Sequence, residues 1–354
     1  MKSPPGFERV WPMGVRDVLN SDNNLELKNR QLKGQVSIFR NKFEQAQKRT
    51  LELERLLDQY SQLSAVETVA RKPVRTRKPS RNSAVAILHF TDWHVGELVT
   101  KNKTNGLNRF NPEICKERVD QLFEGAISLI RLHQETFKIE ELLIVLGGDF
   151  VTGFLHPELE QTNALGPVEE QYLAIELLYK AITQIFEAVE PKKLRIVCHR
   201  GNHGRSTHKM QFKNDFETNN ETLLYWVLRD RLQDKRIEWV IEKNAITYTE
   251  IIEGVYLRTA HGHQIKFRNG VGGLLVPANR WVLKQNQTKK AALTMLGHFH
   301  TRNQMKGILV SGSLKGFDEY ALELGFEYEP PSQSFDLFDL NRRQFSASWP
   351  IFVG

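Results

Sequence analysis

Cysteine is nearly absent: Cys115 and Cys198 are the only two in 354 residues. Two thiols cannot build a disulfide framework, and they point to a reducing compartment. Long apolar runs are missing too. None approaches the ~20 residues that a transmembrane helix needs, so no membrane partner is expected. The opening residues, Met1-Lys2-Ser3-Pro4-Pro5-Gly6-Phe7-Glu8-Arg9, lack the apolar core of a secretory signal. A soluble, cytoplasmic protein is expected. No internal repeat is visible.

What is present is ordinary in bulk and uneven in detail. A hydrophobic fraction of 40% and a charged fraction of 26% suit a globular chain. At 41.0 kDa it is long enough for one large domain with extras, or for two. The net charge of +7 is concentrated at one end. Residues 1–84 hold 17 of the 49 Lys and Arg but 9 of the 42 Asp and Glu, a surplus of eight positive charges. The rest holds 32 basic and 33 acidic residues and is close to neutral. A basic appendage on a neutral body suits a polyanionic partner; a solvated charged helix with a linker gives the same count.

Four segments follow. Residues 1–22, with Pro4-Pro5-Gly6 and Trp11-Pro12, show no period and read as irregular. In residues 23–63, Leu25, Leu32, Phe39, Ala46, Leu53 and Tyr60 recur every seven residues. Val36, Phe43, Thr50 and Leu57 fall four after members of that series. This heptad seam predicts a coiled coil, which leaves room for a homo-oligomer, or a helical hairpin, or one long amphipathic helix packed on the main domain. Residues 64–83 contain Arg71-Lys72-Pro73-Val74-Arg75-Thr76-Arg77-Lys78-Pro79-Ser80-Arg81, six positive charges with two prolines. Such a stretch is extended and solvated, either a linker or an arm that contacts phosphates.

Residues 84–354 alternate strands and helices and then turn β-rich, which indicates an α/β sandwich of mixed sheets. Strands are expected at Ala84–Phe90, Leu142–Leu146, Leu194–Cys198, Glu238–Glu242, Ala245–Ile252, Val255–Thr259, Ala291–Leu296, Gly307–Gly312 and Phe335–Asp339. Helices are expected at Asn111–Phe137, Pro167–Val189, Asp215–Leu232 and near Asn279–Gln285.

Five of these strands run into polar clusters: Thr91-Asp92-Trp93-His94, Gly147-Gly148-Asp149, His199-Arg200-Gly201-Asn202-His203, Ala260-His261-Gly262-His263 and Gly297-His298-Phe299-His300. Neutral imidazole is the commonest metal ligand, and α/β sheets present their sites beyond strand carboxyl ends. On an extended backbone His298 and His300 would project in the same direction. One cluster alone is weak; five in succession are hard to assign to chance.

The series Asp-x-His, Gly-Asp, Gly-Asn-His, His-Gly and Gly-His-x-His resembles the calcineurin-like metallophosphoesterases over roughly residues 84–320. The resemblance implies a four-layer αββα-type sandwich, two mixed sheets flanked by helices, here with the long N-terminal helix as an extension. It implies two divalent metal ions. Asp92, His94 and His300 would bind the first; Asn202, His261 and His298 the second; Asp149 both. A metal-bridging hydroxide would be the nucleophile, with His203 protonating the leaving group. Carboxylate, imidazole and amide ligands suit Mn, with Fe or Zn as alternatives.

The sequence departs from the family in places. Position 204 is glycine where many members carry an acidic residue, and Thr152 is not acidic either, so His203 lacks its usual local partner. His261 is the better ligand by position, but His263 in His-Gly-His competes for the role. Arg200, Arg205, Arg302 and His156 are candidate substrate contacts, each with an ordinary structural role as the alternative.

The arginine and acidic residues of the protein phosphatase motifs are absent from Gly148-Asp149-Phe150-Val151-Thr152-Gly153 and Gly201-Asn202-His203-Gly204. The last motif, Leu296-Gly297-His298-Phe299-His300-Thr301-Arg302, is similar to that of the family's DNA repair nucleases, and the chain also resembles the phosphoesterases that bacteriophages encode. Together with the basic N-terminal region, this points to a nuclease acting on DNA or RNA. A phosphodiesterase or phosphatase for a small nucleotide is the second reading, and a scaffold without activity the third.

Overall fold

A computed structural model describes residues 29–30, 32–54, 82–154, 157–266 and 273–354. The chain divides into two compact units, Met1–Arg77 and Lys78–Gly354. In the first, residues 32–54 form helix α1, and every described residue of it is exposed. The irregular reading of residues 1–22, the ends of the 23–63 helix and most of the basic 64–83 segment lie outside the described residues.

The second unit is built on two sheets. Its elements run β1 (Asn82–Phe90), α2 (Pro112–Gln134), β2 (Phe137–Leu146), α3 (Pro157–Thr162), α4 (Pro167–Val189), β3 (Lys193–Cys198), α5 (Asn220–Arg231), β4 (Ile237–Ile241), β5 (Ile246–Ile252) and β6 (Val255–Ala260). They continue with α6 (Leu275–Thr288), β7 (Leu293–Leu296), β8 (Asn303–Met305), β9 (Ile308–Val310), α7 (Glu319–Glu323), β10 (Ser332–Asp339) and β11 (Gln344–Phe352). The first sheet has the order β11-β10-β1-β2-β3-β4 and the second β5-β6-β7-β9-β8. β1 to β4 are parallel, with β10 and β11 antiparallel at one side; β6, β7 and β9 are parallel, with β5 and β8 antiparallel at the edges. Both sheets are therefore mixed.

Period-two alternation makes the layers. In β1, Ala84, Ala86, Leu88 and Phe90 join the core under α2, α4 and α5. Val85 and Ile87 point the other way and meet Leu257, Leu293, Met295 and Leu309 of the second sheet. The outer face of that sheet packs Leu296, Ile308 and Val310 against Ala278, Trp281 and Val282 of α6. Helix, sheet, sheet and helix are stacked, as the fold class implies. Burial on both faces is why β1, β3 and the second half of β2 read as largely apolar runs.

Helix starts follow local chemistry. The Asn111 side chain accepts the Ile114 N–H at 2.8 Å ahead of Pro112, and Glu169 reaches back to the Gly166 N–H at 3.1 Å ahead of Pro167. Three expected boundaries shift. Phe137 opens β2 instead of ending α2, α5 begins at Asn220 behind its cap Asn219, and β7 begins only at Leu293. β8 and β11 were not anticipated. β11 carries Pro350 opposite Ser334, tolerated because the strand lies at the sheet edge.

Candidate metal centre

β1, β2 and β3 are parallel neighbours, as are β6 and β7, so the loops that leave their carboxyl ends gather at one edge of each sheet. Backbone and side-chain bonds join the two sets. The Asp92 N–H donates to the Gly148 carbonyl at 2.9 Å, and the Gly297 N–H to that of His261 at 2.7 Å. Across the sheets, the His298 N–H donates to Asp92 Oδ2 at 2.9 Å, and His261 Nδ1 to the Gly147 carbonyl at 2.8 Å.

The structure brings three groups of potential ligands together: Asp92 with His94 and His300, His94 with Asp149 and His203, and Asp149 with His261 and His298. Asp149 and His94 each belong to two groups, so the three form one continuous cluster. Asn202 follows Gly201, whose backbone is pressed so closely on Asp149 that a side chain at 201 would overlap it.

Each carboxylate is half committed. Asp92 Oδ2 takes the Thr91 hydroxyl at 2.8 Å besides the His298 N–H, while Oδ1 lies 3.4 Å from His300 Nε2. Asp149 Oδ1 takes the His203 N–H at 2.7 Å; Oδ2 stands 2.8 Å from His261 Nε2 as an ion pair. Asp92 Oδ1 and Asn202 Oδ1 are buried and have no hydrogen-bond partner, and the buried Asp149 Oδ2 and His261 Nε2 have only each other. Unpaired buried polar atoms of this kind cost stability unless a cation collects them, so the donor set fits divalent metal.

Protonation states agree. Burial, with neighbouring Lys315 and histidines, holds His94 well below the ordinary imidazole value; burial and His261 bring His298 down to about 3. These rings keep a free lone pair at neutral pH. Burial also opposes charge on His261, but Asp149 and Asp92 outweigh it and push that ring up to about 10. Burial raises the Asp149 carboxyl, yet His261 and His203 hold it well below the usual range. With its Nδ1–H fixed on Gly147, His261 offers Nε2 once a cation replaces the proton.

Backbone strain marks the same residues. Asp92, His94, Asp149, His298 and His300 all have φ between 48° and 71°. Left-handed backbone at such residues costs of order 1–3 kcal/mol each and persists where the surroundings impose it. It also corrects the extended reading of the last motif. His298 and His300 do not project together: His298 turns toward Asp149 and His261, His300 toward Asp92 and His94.

The remaining candidates are placed as follows. His263 lies outside the three groups, its ring 5.5 Å from that of His261 and 6.2 Å from that of His298. The Arg200 guanidinium is bound to Asp215 at 2.9 Å and to the carbonyls of Glu242 and Lys243, the structural role given as its alternative. Arg302 Nη2 is bound to Ser348 of β11 at 2.9 Å. Arg205 donates to the carbonyls of Thr207 at 3.1 Å, His208 at 3.3 Å and, beside the site, Asn202 at 3.3 Å. His156 lies outside the described residues.

Supporting residues went unnoticed in the sequence. Glu221 accepts the N–H groups of Phe150 at 2.6 Å and Gly201 at 2.7 Å, clamping two ligand loops from α5. It fills the space beside Gly204, where a side chain would strike Glu221 and Asn219. Gln333 of β10 accepts from the Thr91 N–H at 2.8 Å and donates to the Thr91 carbonyl at 3.0 Å, fixing the loop after β1. Buried Lys315 pairs with Glu97 at 2.9 Å and Asp318 at 2.6 Å near His94. The signal available for Glu221 is its place on the apolar stripe of its helix, seven residues before Leu228 and four before Tyr225.

A mixed α/β sandwich with a His/Asp cluster at its strand ends defines a class of protein able to bind metal. A family model described as calcineurin-like phosphoesterase matches residues 85–328, and the chain belongs to that family. Its members typically bind two divalent metals, and the cluster supports a metal-dependent phosphoester hydrolase. No curated protein matches the chain. Among solved structures it is similar to the sulfate thiohydrolase SoxB of Termus thermophilus, in complex with glycerol, at 9% identity and a TM-score of 0.34. That match covers 78% of this chain and 58% of the other, so the chain spans little more than half of that protein's length.

Proposed function

We propose that the protein is a dinuclear metal-dependent phosphodiesterase that cleaves DNA or RNA. The observation that carries this reading is the continuous cluster in which buried atoms of Asp92 and Asn202 lack hydrogen-bond partners while those of Asp149 and His261 have only each other. Asp92, His94 and His300 would hold one cation, Asn202, His261 and His298 the other, and Asp149 both, with Mn favoured and Fe or Zn compatible. Two bound cations supply an activated water and Lewis acidity at the phosphoryl oxygens. His203 stands beside Asp149 with its ring 4.7 Å from that of His94, placed to give a proton to the departing oxygen as water displaces it at phosphorus. Arg205, next to Asn202, is proposed to face a non-bridging phosphate oxygen.

Nucleic acid is favoured over a small ester by the surplus of eight positive charges in residues 1–84. The small-nucleotide reading has its own support, since residues 85–354 are close to neutral. We further propose that α1 joins two copies of the chain. Leu32, Val36, Phe39 and Phe43 form its heptad seam and are 56–73% exposed.

The deciding experiment measures Mn-dependent hydrolysis of single- and double-stranded DNA, RNA, cyclic dinucleotides and bis-p-nitrophenyl phosphate, with the full chain and with residues 1–83 deleted. The expected result is that deletion spares the p-nitrophenyl ester but weakens binding to long DNA or RNA and flattens its salt dependence. Full retention of activity on a nucleotide, with no activity on long DNA or RNA in either form, would establish the small-molecule reading.

A further inference from the structure

His203 has no carboxylate beside it in sequence, and Thr152 and Gly204 occupy the positions where many family members carry one. Its Nδ1 instead lies 2.8 Å from the carbonyl oxygen of Thr152. A carbonyl oxygen only accepts, so Nδ1 carries a hydrogen; in the protonated ring that acts as acid, the second hydrogen is on Nε2, which faces the reaction. That carbonyl belongs to the peptide group joining Thr152 to Gly153. The N–H of the same peptide donates to Glu170 Oε2 at 2.9 Å. Carboxylate, peptide and imidazole are therefore linked in one line of hydrogen bonds.

Glu170 is built into this place. It sits in the first turn of α4, four residues before Ala174 on the apolar stripe, and is fully buried. Its Oε1 accepts the N–H groups of Thr152 and, at 3.1 Å, of Gly96 in the loop after β1. Three donors converge on two oxygens, a demand that an acceptor-only group meets and a glutamine does not. Gly153 has φ of 59°, and a side chain there would strike the His203 carbonyl, so the peptide can approach the histidine only with glycine at this position.

We propose that Glu170 is the positioning residue of His203, acting through the 152–153 peptide to hold the ring's Nδ1–H and aim its Nε2–H at the leaving oxygen. The negative carboxylate polarises the peptide and makes the Thr152 carbonyl a stronger acceptor, as hydrogen bonds in a chain reinforce one another. The inference rests on the reading of His203 as the proton donor.

The test uses the full chain loaded with Mn and compares two esters. One is bis-p-nitrophenyl phosphate, whose leaving group needs no proton; the other is a dinucleotide, which leaves as a sugar alkoxide. H203N is expected to slow the dinucleotide by about 10²–10⁴-fold and the aryl ester far less. E170Q is expected to show the same bias, lowering kcat for the dinucleotide by about 10–100-fold with KM and metal content unchanged. Combined with H203N it should add little. Equal losses on both esters, or full additivity with H203N, would show that Glu170 only braces the loops, and the inference would fall. An H203N variant without leaving-group bias would overturn the role of His203 itself, and with it the inference. If E170Q does not fold, G153A displaces the same peptide from the other side. The same bias is expected there, and equal losses would again refute the proposal.

Discussion

His89 is fully buried in β1 with both ring nitrogens unpartnered, and burial, aided by His261 against Asp92, lowers its pKa to about 4. Its ordinary value is about 6.5, so between pH 6.5 and 4 the unfolded chain takes up a proton that the folded one refuses. The stability conferred by the neutral ring is complete above about pH 6.5 and lost as pH falls through about 4, a change of order 3 kcal/mol. His199, brought to about 3 by burial and Arg200, acts in the same direction. Calorimetric midpoints measured across this range should show His89→Leu gaining on the wild type as pH falls. A difference that does not vary with pH would contradict the assignment. At this scale the motif residues were legible because each stands within a few positions of a strand end. Glu170 and Glu221 were not, because their partners lie 17 to 74 residues away in sequence and the first turn of a helix is where an exposed glutamate is ordinary.

Elements were legible in proportion to their burial. β1, β2 and β3 are covered on both faces and read as apolar runs, whereas β8 has three residues and β11 lies at an edge with its alternation broken, exposing Gln344 and Ser346 but also Trp349 and Phe352. The turns defeated period-based reading: five of the proposed ligands are left-handed, so two histidines one residue apart diverge instead of lining up. For α1 the sequence offered a seam, and the structure leaves that seam exposed along the helix. Charge placed on it should separate the copies that we propose it joins. Sedimentation should show a dimer for the wild type and a monomer for F39E combined with F43E; a wild type that is monomeric at the same concentrations would dismiss the self-association of α1.

The whole molecule divides its labour by charge. Residues 1–84 carry the positive surplus, and a near-neutral phosphoesterase unit carries the proposed ligands, so the proposed affinity for a polyanion and the chemistry at phosphorus should be separable. Every phosphate that residues 1–83 neutralise should add about 0.9 to the slope of log affinity against log salt on duplex DNA, or about 0.7 on single strands. Deleting the segment should flatten the slope by that sum. No described helix is long and apolar enough to cross a membrane. The central claim is a dinuclear centre that turns on Asp149. Its most direct test is elemental analysis of Mn-loaded protein together with hydrolysis of bis-p-nitrophenyl phosphate, for wild type and Asp149→Asn. The account predicts about two metal ions per wild-type chain, with Asp149→Asn losing bound metal and at least about 10²-fold in rate. Full activity and unchanged metal content in Asp149→Asn would contradict it.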